Sequence, residues 1–204
     1  MPRRIHLLNA HPHGPSFCRA LADAYQKGAE AAGAEVRRTD LASLAFDPVL
    51  HGGYHVRQPL EPDLERTLED LRWAGHLAWA TPVWWGSVPA LFKGWMDRVL
   101  LPGIAFRYHA NDPFWDRLLY GRTGRLIVTM DTPRWFFWLV YGDPALRQVK
   151  RTTLEFSGVG PVRTLIAAEV RKASDAKRAR WLAAAEAAGR QDASAPDRPK
   201  FRKP

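Results

Sequence analysis

Apolar positions along this chain fall into short blocks that switch between two rhythms. Residues 3–10, RRIHLLNA, form a mostly apolar run of strand length, as in a parallel strand covered on both faces. From Ser16 to Gly33 the positions Phe17, Leu21, Ala24, Tyr25 and Ala29 recur near helical spacing. That spacing predicts a helix with Ser16 as N-cap and Gly33 as its stop. AEVRRTDL alternates as a second strand, and HLAWAT, RLIVTM and PVRTLIAA read as three more. Helical spacing returns in EPDLERTLEDLRWAG, VPALFKGWMDRVLL, DPALRQVKRTTLEFSG and SDAKRARWLAAAEAAG. The third helix is expected to be capped by Ser87, with Pro89 in its first turn, where a missing N–H costs nothing. The last is expected to start on Ser174 or Asp175. Residues 45–62, punctuated by Pro48, Gly52, Gly53 and Pro59, read as a long loop, a feature that is usually functional or a lid. PGIAFRYHANDPFWDRLLYG reads as a long connection.

Strand–helix alternation of this kind predicts an α/β domain with a parallel sheet. No G-x-G-x-x-G follows the first strand, and no G-x-x-x-x-G-K-S/T occurs, so neither the dinucleotide fingerprint nor the triphosphate loop is present. The remaining common arrangement is a flavodoxin-like doubly wound sheet of five parallel strands, order 2-1-3-4-5. There the crevice between the carboxyl ends of strands one and three takes a ligand. The expected organisation is one domain, residues 1–189, followed by a basic tail at 190–204, which is short of apolar residues and expected to be disordered.

Charge and composition narrow the function. The formal net charge is +9, and the tail carries five basic residues against two acidic ones. An anionic small molecule or nucleic acid could answer such a charge, but no nucleic-acid motif accompanies it, and no nucleic-acid partner is expected. With the single cysteine Cys18 there is no intramolecular disulfide, which suits a reducing compartment. No apolar run reaches the length of a membrane span, and the N-terminal run is too short for a signal segment. The expectation is a soluble, cytoplasmic protein. The seven histidines lack the paired spacing of a metal site, and no metal is expected.

The candidate site lies where strands one and three end. The first loop, NAHPHGPSF, runs into a helix start at Ser16, an anion seat suited to phosphate. The second, TPVWWGS, places Trp84 and Trp85 at the mouth of the crevice. A phosphate seat beside a flat aromatic wall suits a phosphorylated planar heterocycle, chemically a flavin mononucleotide or the flavin half of a dinucleotide. Trp84 and Trp85 would flank the ring, and the backbone from Pro82 to Gly86 would bond its polar edge. The third loop, TMDTPRWFFWLVYGD, holds five aromatics between Trp135 and Tyr141, the mark of a ligand groove or a subunit interface.

HPHGPSF, TPVWWGSVPALFKGWMDRV and GIAFRY together resemble the flavodoxin-like NAD(P)H:quinone oxidoreductases over roughly residues 4–170. The resemblance implies that His11, Ser16, Phe17 and Cys18 hold the phosphate side of the cofactor. It also implies that Pro82, Val83, Trp84 and Trp85 run along the isoalloxazine, and that Thr129, Met130, Asp131 and Thr132 close the site. It further implies FMN or FAD, with FMN favoured, NAD(P)H as co-substrate, a quinone-like acceptor, and a homodimer whose partner meets residues 135–141. Thr129-Met130-Asp131-Thr132 stands where many members have Thr-Thr-Gly-Gly. Residues 135–137 and Tyr141 stand where the mammalian type has its tyrosine and histidine. Asp131 and Tyr141 are the candidates for catalytic polar contacts, and Arg107 or Arg134 for attracting the pyridine-nucleotide phosphate. A one-electron carrier, a regulatory subunit and a cofactor-free binding module are the competing readings.

Overall fold

The computed structural model describes residues 1–196. The chain opens with β1 (Arg4–Asn9), α1 (Phe17–Ala31) and β2 (Glu35–Asp40), then a single 3-10 turn at Leu41–Ser43. It continues through α2 (Pro62–Trp73), β3 (His76–Pro82), α3 (Ala90–Val99), and the strands β4 (Phe106–Tyr108) and β5 (Trp115–Arg117). There follow β6 (Thr123–Met130), α4 (Arg134–Leu139) and α5 (Pro144–Leu146), which widens directly into a π-helical stretch, Arg147–Glu155. β7 (Val162–Ala168), a 3-10 turn at Val170–Lys172 and α6 (Asp175–Ala193) complete it.

Five strands form one parallel sheet in the order β2-β1-β3-β6-β7, the expected 2-1-3-4-5 with β6 and β7 as its fourth and fifth members. The period-2 geometry of strands sends alternate side chains to opposite faces. Ile5, Leu7, Ala78, Ala80 and Ile127 pack under α1 and α6, while Leu8, Leu77, Trp79, Leu126 and Val128 pack under α2 and α3. Trp79 anchors the second face, its ring edge-on to Phe92 at 5.7 Å and to Trp95 at 5.5 Å. The first face is lined by small residues, so α1 and α6 approach closely. A methyl group on Gly28 would lie 1.9 Å from the Glu186 carbonyl oxygen, and one on Gly189 would lie 2.1 Å from that of Tyr25.

That approach corrects the boundary expected at Gly189. The glycine is an interior position of α6, needed for contact with α1, and the helix runs on to Ala193. The reason is Asp192, which is buried beneath the amino ends of the strands. It accepts from Arg125 Nε at 2.7 Å, Arg125 Nη2 at 2.8 Å and the Tyr25 hydroxyl at 3.0 Å. The rest of the expected tail, from 197, lies outside the described residues.

Other local expectations meet the structure. Ser16 caps α1 by accepting from Arg19 N at 3.1 Å, and Ser174 rather than Asp175 caps α6. Ser87 does not cap α3, because the chain stays extended through Pro89 and the helix begins at Ala90. The expected long connection contains the antiparallel β4–β5 hairpin, and the aromatic third loop contains α4. The 45–61 loop is tied down: buried Arg98 donates to the carbonyls of Asp47 and Pro59 and to Glu61 Oε2 at 2.8 Å.

Candidate functional site

Three strand ends meet at one edge of the sheet. Ala10 N donates to Ala80 O at 2.7 Å and Val83 N to Thr129 O at 2.8 Å, knitting the loops after β1, β3 and β6 into one rim. His11 and Trp84 bridge the first two loops, with ring centroids 5.9 Å apart at 81°. Burial holds the His11 imidazole below its ordinary range against the pull of the His13 carbonyl, so it faces Trp84 as a neutral ring at pH 7.

The turn after β3 is closed by two backbone bonds. Trp84 N donates to Ser87 O at 3.0 Å and Ser87 N to Trp84 O at 2.9 Å. Both central residues take positive φ, Trp85 at 52° and Gly86 at 74°. Glycine takes this conformation freely, whereas tryptophan is strained there. Trp85 is 104% exposed and Trp84 46%, so the protein itself covers neither indole well. Ser87, freed from capping, donates its hydroxyl to Gln148 Oε1 at 2.6 Å and pins the turn to the π-helical stretch.

Across the rim lies the start of α1. Its first N–H groups, those of Phe17 and Cys18, have no intrahelical acceptor and present a partial positive charge. Arg19 stands at the same terminus, its guanidinium against Gly14 of the first loop. No acidic residue occurs between His11 and Arg19. The nearby Asp40 carboxyl would be raised by its burial, yet bonds from Arg38 and Asn9 hold it below its ordinary range.

The predicted residues divide into two groups. His11, Ser16, Pro82, Val83, Trp84 and Trp85 sit together at the rim. The side chains of Phe17, Cys18, Thr129, Met130 and Asp131 are committed elsewhere. Phe17 packs on Trp181 of α6 at 5.9 Å, leaving its backbone N–H at the rim. The thiol of Cys18 is buried; burial pushes it up to about 12, with Thr129 as its hydrogen-bond partner. Met130 fills the core under α2 and α3, and Thr129 is buried, so both offer the rim only backbone. Asp131 Oδ1 accepts from Arg171 N at 2.8 Å, capping the Val170–Lys172 turn. Thr132, half-buried, follows it into α4. Tyr141 is 55% exposed, edge-on to Phe136 at 5.0 Å. Arg134 is paired with Asp143, Nη2 to Oδ2 at 2.7 Å, and Arg107 faces Asp116 on the hairpin.

Sequence reading missed Arg19. Its signal was a cation in the first turn of a helix, where the macrodipole favours acids. It also missed the left-handed Trp85, since a Trp-Gly pair does not announce a turn of that hand.

The donor set fits a phosphorylated planar ring: amides and a guanidinium on one side, where the nearby Asp40 is already held by Arg38 and Asn9, and bare indoles on the other. Among the described residues no histidine, cysteine and carboxylate group could hold a metal, and no helix is long and apolar enough to cross a membrane.

A family model described as flavodoxin-like fold matches residues 3–190. The chain belongs to that family. NAD(P)H dehydrogenase (quinone) 1 of Rattus norvegicus is 28% identical over 126 residues, covering 52% of this chain and 46% of that protein. The chain spans about half the length of the curated relatives it matches. The solved NAD(P)H:quinone oxidoreductase of Methanothermobacter marburgensis superposes with a TM-score of 0.80 at 26% identity, covering 93% of this chain and 98% of that one. An FMN-dependent NADH-azoreductase of Bacillus anthracis, in complex with FMN, superposes at 0.75 over 94% of this chain and all of that one. At 14% identity that likeness is one of fold.

Proposed function

We propose that this flavodoxin-like protein binds FMN, with FAD the alternative, at the β1–β3 rim. We propose that it acts there as an NAD(P)H oxidoreductase toward a quinone or a similar aromatic acceptor. The observation that carries the reading is the strained Trp84–Ser87 turn. A backbone conformation that costs energy holds a bare indole opposite an anion seat, and a flat apolar ring with a phosphate answers both. The relatives named as quinone oxidoreductases and the FMN-bound fold neighbour support the same reading.

When bound, a flavin supplies hydride acceptance from a nicotinamide and delivery to the acceptor. The chain's own residues bind and orient. The N–H groups of Phe17 and Cys18, with Arg19, hold the phosphate. Trp84 and Trp85 exclude water from the ring's flank, and the backbone of Pro82–Gly86 meets its polar edge. Asp131 is a positioning residue that ties the end of β6 to the turn after β7. Tyr141 is the group with a hydroxyl available for a polar contact. A homodimer would cover the stretch 135–141, in which Trp135, Trp138, Leu139, Val140 and Tyr141 are each more than half exposed. The single buried thiol suits a reducing, cytoplasmic setting.

The test is optical. The purified protein should carry a flavin absorption band that bleaches anaerobically with NADPH or NADH and returns on adding a quinone. Trp84→Ala should purify with less flavin and turn over more slowly. Colour without bleaching would favour a carrier, and a colourless protein that takes up no FMN would overturn the reading.

A further inference from the structure

Among α4, the π-helical stretch and β7 lies a cavity of about 280 Å³. Its walls carry four cations, Arg134, Arg147, Lys150 and Arg151, against one carboxylate, Asp143, and an aromatic surface from Trp138. Arg134 is spent on Asp143. Lys150 is only loosely paired, 4.0 Å from Glu155. Arg147 and Arg151 have no acidic partner among the described residues. Like charges four apart on a helix repel each other, and Asp143 and Glu155 answer only Arg134 and Lys150. An anion would offset the other two.

The helical segment that walls the cavity also touches the proposed flavin rim. Gln148, inside the same π-helical stretch, takes the Ser87 hydroxyl at 2.6 Å, and Pro144 lies against Gly86. The segment that walls the cavity is therefore the one that also contacts the Trp84–Ser87 turn. The volume is at the lower limit of ligand pockets, so it suits one end of a dinucleotide and not the whole.

We propose that this cavity holds the adenosine 2′-phosphate end of NADPH and makes the chain select NADPH over NADH. The inference rests on the NAD(P)H oxidoreductase reading above. NADPH differs from NADH by one phosphate monoester, a dianionic group with three acceptor oxygens. Guanidinium forks match it with paired, charge-assisted bonds, and Arg147 and Arg151 are the two forks left open. Lys150 adds a third positive charge. Trp138, 60% exposed, offers its ring as a wall for adenine.

Direct binding separates this proposal from the oxidoreductase reading. Calorimetric titration of the wild-type protein with adenosine 2′,5′-bisphosphate, 5′-AMP and inorganic phosphate needs no turnover. The bisphosphate should bind about tenfold or more tightly than 5′-AMP, the worth of one or two charge-assisted bonds. In R147Q/R151Q that difference should vanish. Steady-state assay of the same variant as holoenzyme should show a KM for NADPH raised about tenfold or more, with kcat, flavin content and NADH turnover unchanged. Equal affinity for the bisphosphate and 5′-AMP would overturn the proposal. So would inorganic phosphate binding as tightly as the bisphosphate, or an unchanged KM for NADPH in the variant. If neither nucleotide reduces the wild-type protein, the oxidoreductase reading fails, while the titration still reports on the cavity.

Discussion

Trp85→Asn should make the flavin-free protein more stable while weakening its hold on flavin. Trp85 sits at φ 52° and Gly86 at φ 74°, the two left-handed positions of a tight turn. A side-chain-bearing residue there costs roughly 1–2 kcal/mol. No packing repays it, since Trp85 is 104% exposed. Asparagine visits that region routinely, and Asn-Gly is a favoured pair for such turns. The substitution should therefore gain about 1 kcal/mol, which for a chain of this size raises Tm by about 2–4 °C. Trp85→Ala is the control: it deletes the indole but keeps a Cβ at positive φ, so its stability should stay within about 0.5 kcal/mol of wild type. Denaturant midpoints must be compared without flavin, because a ligand of the native state would mask the gain, and an unchanged slope would show that only stability moved. Both variants should bind FMN less tightly. A Trp85→Asn midpoint at or below wild type, or an equal gain in Trp85→Ala, would show that the turn is not strained.

Asp192 lies 3.3 Å from His76 Nε2 as well as on Arg125; burial alone would raise its carboxyl, but His76 and Arg125 hold it well below its ordinary range. Its folded-state pKa is depressed, so its stabilisation is complete above an unfolded value of about 3.9 and is lost as pH falls below that. Asp192→Asn should cost about 3–5 kcal/mol at pH 7, and urea melts should show the deficit narrowing toward pH 3; a constant gap would contradict the assignment. Cys18, buried with its thiol pushed up to about 12, should resist iodoacetamide at pH 8 until urea unfolds the chain; prompt labelling of native protein would disprove its burial. Arg98→Met should free the 45–61 loop, with faster amide exchange there and a loss of about 1–3 kcal/mol; unaltered exchange would mean that something else holds the loop.

The alternation of strand and helix was legible because both periods are local properties of the chain, and β1, β3 and β6 are apolar enough to declare burial on both faces. The switch-point crevice followed from that order, and with it the rim residues His11, Ser16 and Pro82–Trp85. Boundaries governed by distant partners were not legible. Gly189 looks like a helix stop, yet it is the contact by which α6 meets α1, and Asp192 beyond it is spoken for by Arg125. Ser87 looks like a cap, yet its hydroxyl goes to Gln148, sixty-one positions away in sequence.

Sequence alone determined the fold class and which strand ends carry the tryptophans and the helix start at Ser16, because these depend on residue type and periodicity. Tertiary structure decided which side chains face that site. It turned Met130 and the Cys18 thiol into the core, gave Asp131 to Arg171, and set Arg19 beside the first loop. It also gathered Arg147, Lys150 and Arg151 into a cavity against Trp138. Side-chain direction depends on which elements pack together, and that packing is a property of the folded chain, not of any one segment.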